Sequence, residues 1–99
     1  MKAIVQKSPG PATTLEIGEV AIPALKEGHV LVKIEYTALN RADIMQRNGA
    51  YPPPAGESNI IGLECVGYEI NDLEKDLKDD AYKQNPRVMA LLPGGGYAQ

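Results

Sequence analysis

Glycine and proline punctuation constrains this chain most. Ten glycines and eight prolines cut the 99 residues into short segments, and inside two of them, Leu15–Val20 and Val30–Leu39, apolar residues alternate with polar ones. Alternation is the period of a half-buried strand, not of a helix. Ala3 to Gln6 reads as an edge or early strand, ended by the turn cluster Ser8-Pro9-Gly10-Pro11. Leu15 to Val20 alternates next, until Pro23 and Glu27-Gly28 break it. Val30 to Leu39 is the clearest strand, with Val30, Val32, Ile34 and Tyr36 on one face. Ile60 to Ile70 and Arg87 to Leu92 add two more strands, the former with Gly62 and Gly67 allowing bends or a close approach of backbone.

Asn40 to Asn48 breaks this pattern. It has no β-branched run, its residues are good helix formers, and Gly49 suits a left-handed cap. One or two helical turns are predicted there, then an ordered loop of polyproline character over Tyr51 to Asn59. Residues 71–84 admit two readings. Asn71 with Glu74 makes a capping box, and Leu73, Leu77 and Ala81 form a narrow stripe, which predicts a second short helix at about 72–83. The alternative is a solvated acidic loop. The order of elements predicts a mainly β domain, a small antiparallel barrel with an inserted helix after the long third strand.

Composition narrows function. A net charge of −3 without a Lys/Arg stripe argues against nucleic acid. One cysteine excludes an internal disulfide and suits a reducing compartment. The opening Met1-Lys2-Ala3-Ile4-Val5-Gln6 meets Pro9-Gly10 at once, unlike a signal peptide, and the apolar run Val88–Leu92 is far too short to span a membrane. The expectation is an intracellular protein, cytoplasmic in preference to organellar. With no Phe or Trp, five tyrosines and the aliphatic residues must fill the core. A chain of this length buries only about 60–70% of its unfolded surface, so that core is marginal.

Four stretches carry a resemblance: Ala38-Leu39-Asn40-Arg41-Ala42-Asp43, Tyr51-Pro52-Pro53-Pro54, Gly62-Leu63-Glu64, and Met89-Ala90-Leu91-Leu92-Pro93-Gly94-Gly95-Gly96. Together they resemble the N-terminal GroES-like domain of zinc-independent NADPH:quinone oxidoreductases, in the medium-chain dehydrogenase/reductase superfamily. The resemblance implies an incomplete GroES-like barrel whose Rossmann-type cofactor domain is absent. It also implies a site without metal. Where zinc-dependent relatives carry a cysteine and a Gly-His-Glu triplet, this chain has Asn40 and Gly62-Leu63-Glu64. An amide and a leucine do not replace thiolate and imidazole around zinc. The single cysteine likewise leaves no four-cysteine zinc lobe.

By the same resemblance, Asn40, Asp43 and Tyr51 are the candidate catalytic residues, and Asn40, Arg41 and Tyr51 face NADPH. Each has a structural alternative: Asn40 and Asp43 as helix caps, Tyr51 packed on prolines, Arg41 and Arg47 on the surface. Glu64 needs solvent or a partner, for which Arg41 is one option. Cys65 reads as a small buried hydrophobe and His29 as a surface residue. Gly94-Gly95-Gly96 fails the dinucleotide fingerprint and reads as a flexible bend after a strand. The expected partners are a Rossmann-type domain in cis or in trans and a quinone-like small molecule. A protein partner at the open sheet edge or at residues 71–84 is the further expectation. The alternative to an enzyme domain, inactive alone, is a non-catalytic structural or interaction subunit.

Overall fold

The structure, a computed structural model, describes residues 1–52 and 58–99. Strand β1 (Lys2–Gln6) turns through a 3₁₀ turn at Ala12–Thr14 into β2 (Leu15–Glu19), and the two pair antiparallel. A second antiparallel sheet holds β3 (Leu31–Tyr36), β4 (Glu64–Ile70) and β5 (Arg87–Leu91), with β4 central. Helix α1 (Arg41–Arg47) follows β3, and a short α2 (Leu73–Asp76) with a 3₁₀ stretch (Lys78–Gln84) joins β4 to β5. The sequence-predicted strands and first helix are all present, as is the mainly β class.

Their ends differ in instructive ways. β3 stops at Tyr36, short of Leu39, because a bulge shifts the register between Ile34 and Tyr36. The expected strand from Ile60 begins only at Glu64, since Gly62 takes φ +113°, outside the extended region. Residues 60–63 instead bond to the backbone of 92–97: Leu92 N–H to Leu63 O, Gly95 N–H to Ile60 O, Gly96 N–H to Gly62 O, and Tyr97 N–H to Ile61 O. The middle of the expected polyproline loop, residues 53–57, lies outside the described residues.

The segment at 71–84 is partly helical, and its cap is not the predicted one. Asp72, not Asn71, caps α2 and accepts the Lys75 N–H at 3.1 Å. Asn71 N–H is taken by the Asp76 carboxylate at 2.7 Å, so the helix starts one residue later. Asp79 and Asp80 turn left-handed, φ 53° and 56°, which breaks the helix and removes Ala81 from the Leu73–Leu77 stripe.

The two sheets do not close into a barrel. The C-terminal residues join them: Ala98 bridges Ala3, Ile4 N–H reaches Tyr97 O, and Ile34 N–H reaches Gln99 O. Over one face of the three-stranded sheet lies a cavity of about 560 Å³ bordered by Leu31, Ile34, Cys65, Leu73, Leu77 and Ala90. Among the described residues few apolar side chains are buried: Ala3, Ile61, Cys65 and Ile70. The chain exposes 6906 Å², whereas a compact monomer of 10.7 kDa exposes about 5,500 Å². The core is open on one side.

Candidate functional site

Helix α1 organises the site because its sequence caps itself. Asn40 is extended (φ −127°, ψ 152°), and Asp43 at the third helical position accepts the Asn40 backbone N–H at 2.8 Å. At the other end Asn48 closes the helix and Gly49 takes φ +80°, as a left-handed cap requires. Arg47 fixes this end to the first turn: its Nε donates to Gly10 O at 3.1 Å, and its carbonyl accepts from Gly10 N and Gln6 Nε2, both at 2.8 Å.

Tertiary structure then converges on Asn40 and Asp43. The Asn40 side-chain amide donates to Glu64 Oε2 at 3.1 Å. Glu64 therefore meets Asn40, and the pairing with Arg41 is not formed; Arg41 is exposed and makes no ion pair among the described residues. The Thr37 hydroxyl donates to Glu64 O at 2.7 Å, tying the exit of β3 to the start of β4 beside this contact. Tyr97 Oη donates to Asp43 Oδ2 at 2.6 Å, and Asp43, 4% exposed, leaves Oδ1 buried without a hydrogen-bond partner. Burial, and secondarily the Asp43 carboxylate, hold the Tyr97 phenol protonated well above its ordinary range.

Gln46 completes the arrangement. It is buried, donates to Pro93 O at 3.1 Å and accepts the Gly62 N–H at 3.4 Å, clamping both sides of the backbone crossing. That crossing corrects the expected flexible bend. A Cβ on Gly96 would stand 2.8 Å from Glu64 O, and one on Gly94 would stand 2.9 Å from Ser58 O. These glycines let two backbones touch; they are closed in, not loose.

The other sequence-predicted residues are less engaged. Tyr51 is half exposed at the far end of α1, where its N–H reaches Met45 O at 3.2 Å. Asn40, Asp43, Glu64 and Tyr51 border neither the large cavity nor a smaller one of about 260 Å³ beside Gln46 and Gly49. The site is thus open rather than enclosed. Cys65 is buried, as expected, and burial pushes its thiol up, away from thiolate. His29 is exposed. Among the described residues no three His, Cys, Asp or Glu side chains cluster as metal ligands, and no helix is long and apolar enough to cross a membrane. Sequence reasoning missed Tyr97. Gln46 was legible only as part of a motif.

Residues 26–98 match the family described as the alcohol dehydrogenase GroES-like domain. The chain belongs to that family. The domain, of the medium-chain dehydrogenase/reductase superfamily, is 44% identical over 73 residues to a zinc-type alcohol dehydrogenase-like protein of Schizosaccharomyces pombe, covering 72% of this chain and 22% of that protein. It is 34% identical over 95 residues to a chloroplastic quinone oxidoreductase of Triphysaria versicolor, covering 91% and 28%. It is also 31% identical over 86 residues to a phenolphthiocerol/phthiocerol polyketide synthase protein of Mycobacterium tuberculosis, covering 87% and 4%. This GroES-like domain spans less than a third of each of these three relatives.

Proposed function

We propose that this chain is the acceptor-side part of a zinc-independent, NADPH-dependent reductase for quinones or conjugated ketones, and that it does not turn over alone. The carrying observation is the pair Asn40–Glu64, an amide held by a carboxylate at the rim of an open site. These residues do not suit zinc. Asn40 presents an amide already engaged by Glu64, Leu63 offers no donor atom, and the neighbouring Cys65 is buried with its thiol pushed up. Elemental analysis of chain purified from metal-supplemented medium is expected to find no stoichiometric zinc; one zinc per chain overturns this part.

NADPH, once bound on a Rossmann-type domain in cis or in trans, would supply the hydride. The chain's own residues would do the rest. Asn40 donates an N–H to the acceptor carbonyl, whose oxygen gains negative charge as it is reduced. Asp43, anchored by Tyr97, keeps the Asn40 backbone in place. The Tyr51 hydroxyl, half exposed, stands available to the acceptor, and the proton comes from it or from solvent. Arg41, exposed, would meet the phosphates of NADPH. An intracellular, cytoplasmic location completes this reading.

The test is an assay of the purified chain with NADPH and a soluble quinone. No turnover above the uncatalysed rate is expected, with activity appearing when a Rossmann-type domain is supplied; turnover by the chain alone contradicts the proposal. One observation favours a second reading, a non-catalytic interaction subunit. The open cavity on the three-stranded sheet, with Leu73 and Leu77 only partly covered at its border, is a surface that a partner polypeptide would fill. Under that reading the supplied domain restores no activity.

A further inference from the structure

We infer that Glu64 is a positioning residue that decides which atom of the Asn40 amide faces a bound acceptor. The inference rests on the role proposed above for Asn40. A primary amide can be turned end for end with little change of shape, so only its neighbours choose between a donor and an acceptor pointing outward. An ionised carboxylate accepts and cannot donate. Glu64 Oε2, 3.1 Å from Asn40 Nδ2, selects the N–H end because the flipped amide would set carbonyl oxygen against carboxylate oxygen, and the capping box, in which the Asn40 side chain takes the Asp43 N–H, acts in the same sense.

Both ends of this contact are fixed. Asn40 is held at its backbone by Asp43 Oδ2, which Tyr97 Oη also occupies. Glu64 is held at its backbone by the Thr37 hydroxyl. With one amide N–H spent on Glu64, the second makes no hydrogen bond among the described residues and is the donor left for an acceptor. A donor there suits a carbonyl oxygen, as in a quinone or enone, and disfavours a group that must itself donate.

Nuclear magnetic resonance on the ¹⁵N-labelled chain tests this, with tetramethyl benzoquinone as the probe and Glu64→Leu and Glu64→Gln as variants. In the wild type the two Asn40 side-chain amide protons should be widely separated, one of them shifted downfield by the charge-assisted bond. Glu64→Leu should collapse that separation to the value of the exposed Asn71 amide and weaken quinone binding about tenfold, the loss of one well-made hydrogen bond. Glu64→Gln, which keeps an acceptor but no charge, should fall between the two. A purely structural Glu64 would change the folded fraction and leave the Asn40 amide pair where it was. An unchanged amide pair in both variants overturns the inference; if Glu64→Leu does not fold, an unchanged pair in Glu64→Gln does so alone. Quinone that leaves the wild-type Asn40 amide untouched, while the variants still move the pair, overturns the acceptor reading and upholds the part of Glu64.

Discussion

The crossing of residues 60–64 with 92–97 and the arc from Asn71 to Asn85 are both irregular backbone, held in opposite ways. At the crossing, four backbone hydrogen bonds, the Gln46 clamp and the Tyr97–Asp43 bond act on one short length of chain. Gly62, Gly94 and Gly96 in it have no room for a side chain. In the arc, one carboxylate oxygen, Asp76 Oδ2, accepts from Asn71 N, Asp72 N and Asn85 Nδ2, and two consecutive aspartates are left-handed. Irregular backbone is rigid where neighbours determine it several times over, and tolerant where a single group does. The candidate site stands on the first kind.

Substitution at Gly62 should strain this contrast most. In Gly62→Ala the new Cβ meets Tyr97 N at 2.7 Å and Gly96 Cα at 2.8 Å, on a backbone at φ +113°. The expected loss is about 3 kcal/mol or more, read by urea denaturation; a chain as stable as wild type would show that the crossing yields.

Tyr97→Phe comes next, at about 1–3 kcal/mol, because it takes a donor from a buried carboxylate that already has one orphaned oxygen. It also carries a pH signature. The folded phenol is held above its ordinary value of about 10. Its contribution is thus full below about pH 10 and is lost as pH rises further, since the unfolded state releases its proton first. Stability of the wild type should fall on that alkaline limb, and Tyr97→Phe should flatten it.

In the arc, effects should be smaller and one should change sign. Asp79→Gly relieves a left-handed residue and should stabilise by up to about 1 kcal/mol, seen as a higher denaturation midpoint. Asp76 is held below the usual carboxylate range, first by the backbone hydrogen bond at Asp72 and then by those from Asn71 and Asn85. Its contribution is present above about pH 4 and fades as pH falls below it. The Asn71 and Asp72 amide resonances should therefore titrate in acid, and Asp76→Asn should hold them still at little cost to the fold.

Much of the chain was legible wherever neighbours in sequence decide the outcome. Alternation placed β2 and β3, turn clusters and short apolar runs placed β1 and β5, and the run Asn40 to Gly49 announced both caps of α1, because capping needs only residues three or four apart. Cys65 was readable as buried from its apolar setting. The arc was half legible: its capping pair and leucine stripe suggested a short helix and its charges a loop, but nothing local required Asp79 and Asp80 to turn left-handed and end the helix. Glu64 was recognised as needing solvent or a partner such as Arg41, yet the fold set the Asn40 amide against it, 24 positions away in sequence.

By itself, then, the order of residues determined a mainly β domain, the self-capped helix α1 and, through motifs that the family match bears out, membership among alcohol dehydrogenase GroES-like domains. Tertiary structure alone decided that Tyr97 would reach Asp43 across 54 positions, and that a glycine triplet would become a close crossing. It also left a cavity open on one face of the three-stranded sheet. The physical reason is range: caps and strand periods are set within a turn or two of chain, whereas a buried hydrogen bond or an unfilled core depends on which distant segments arrive together.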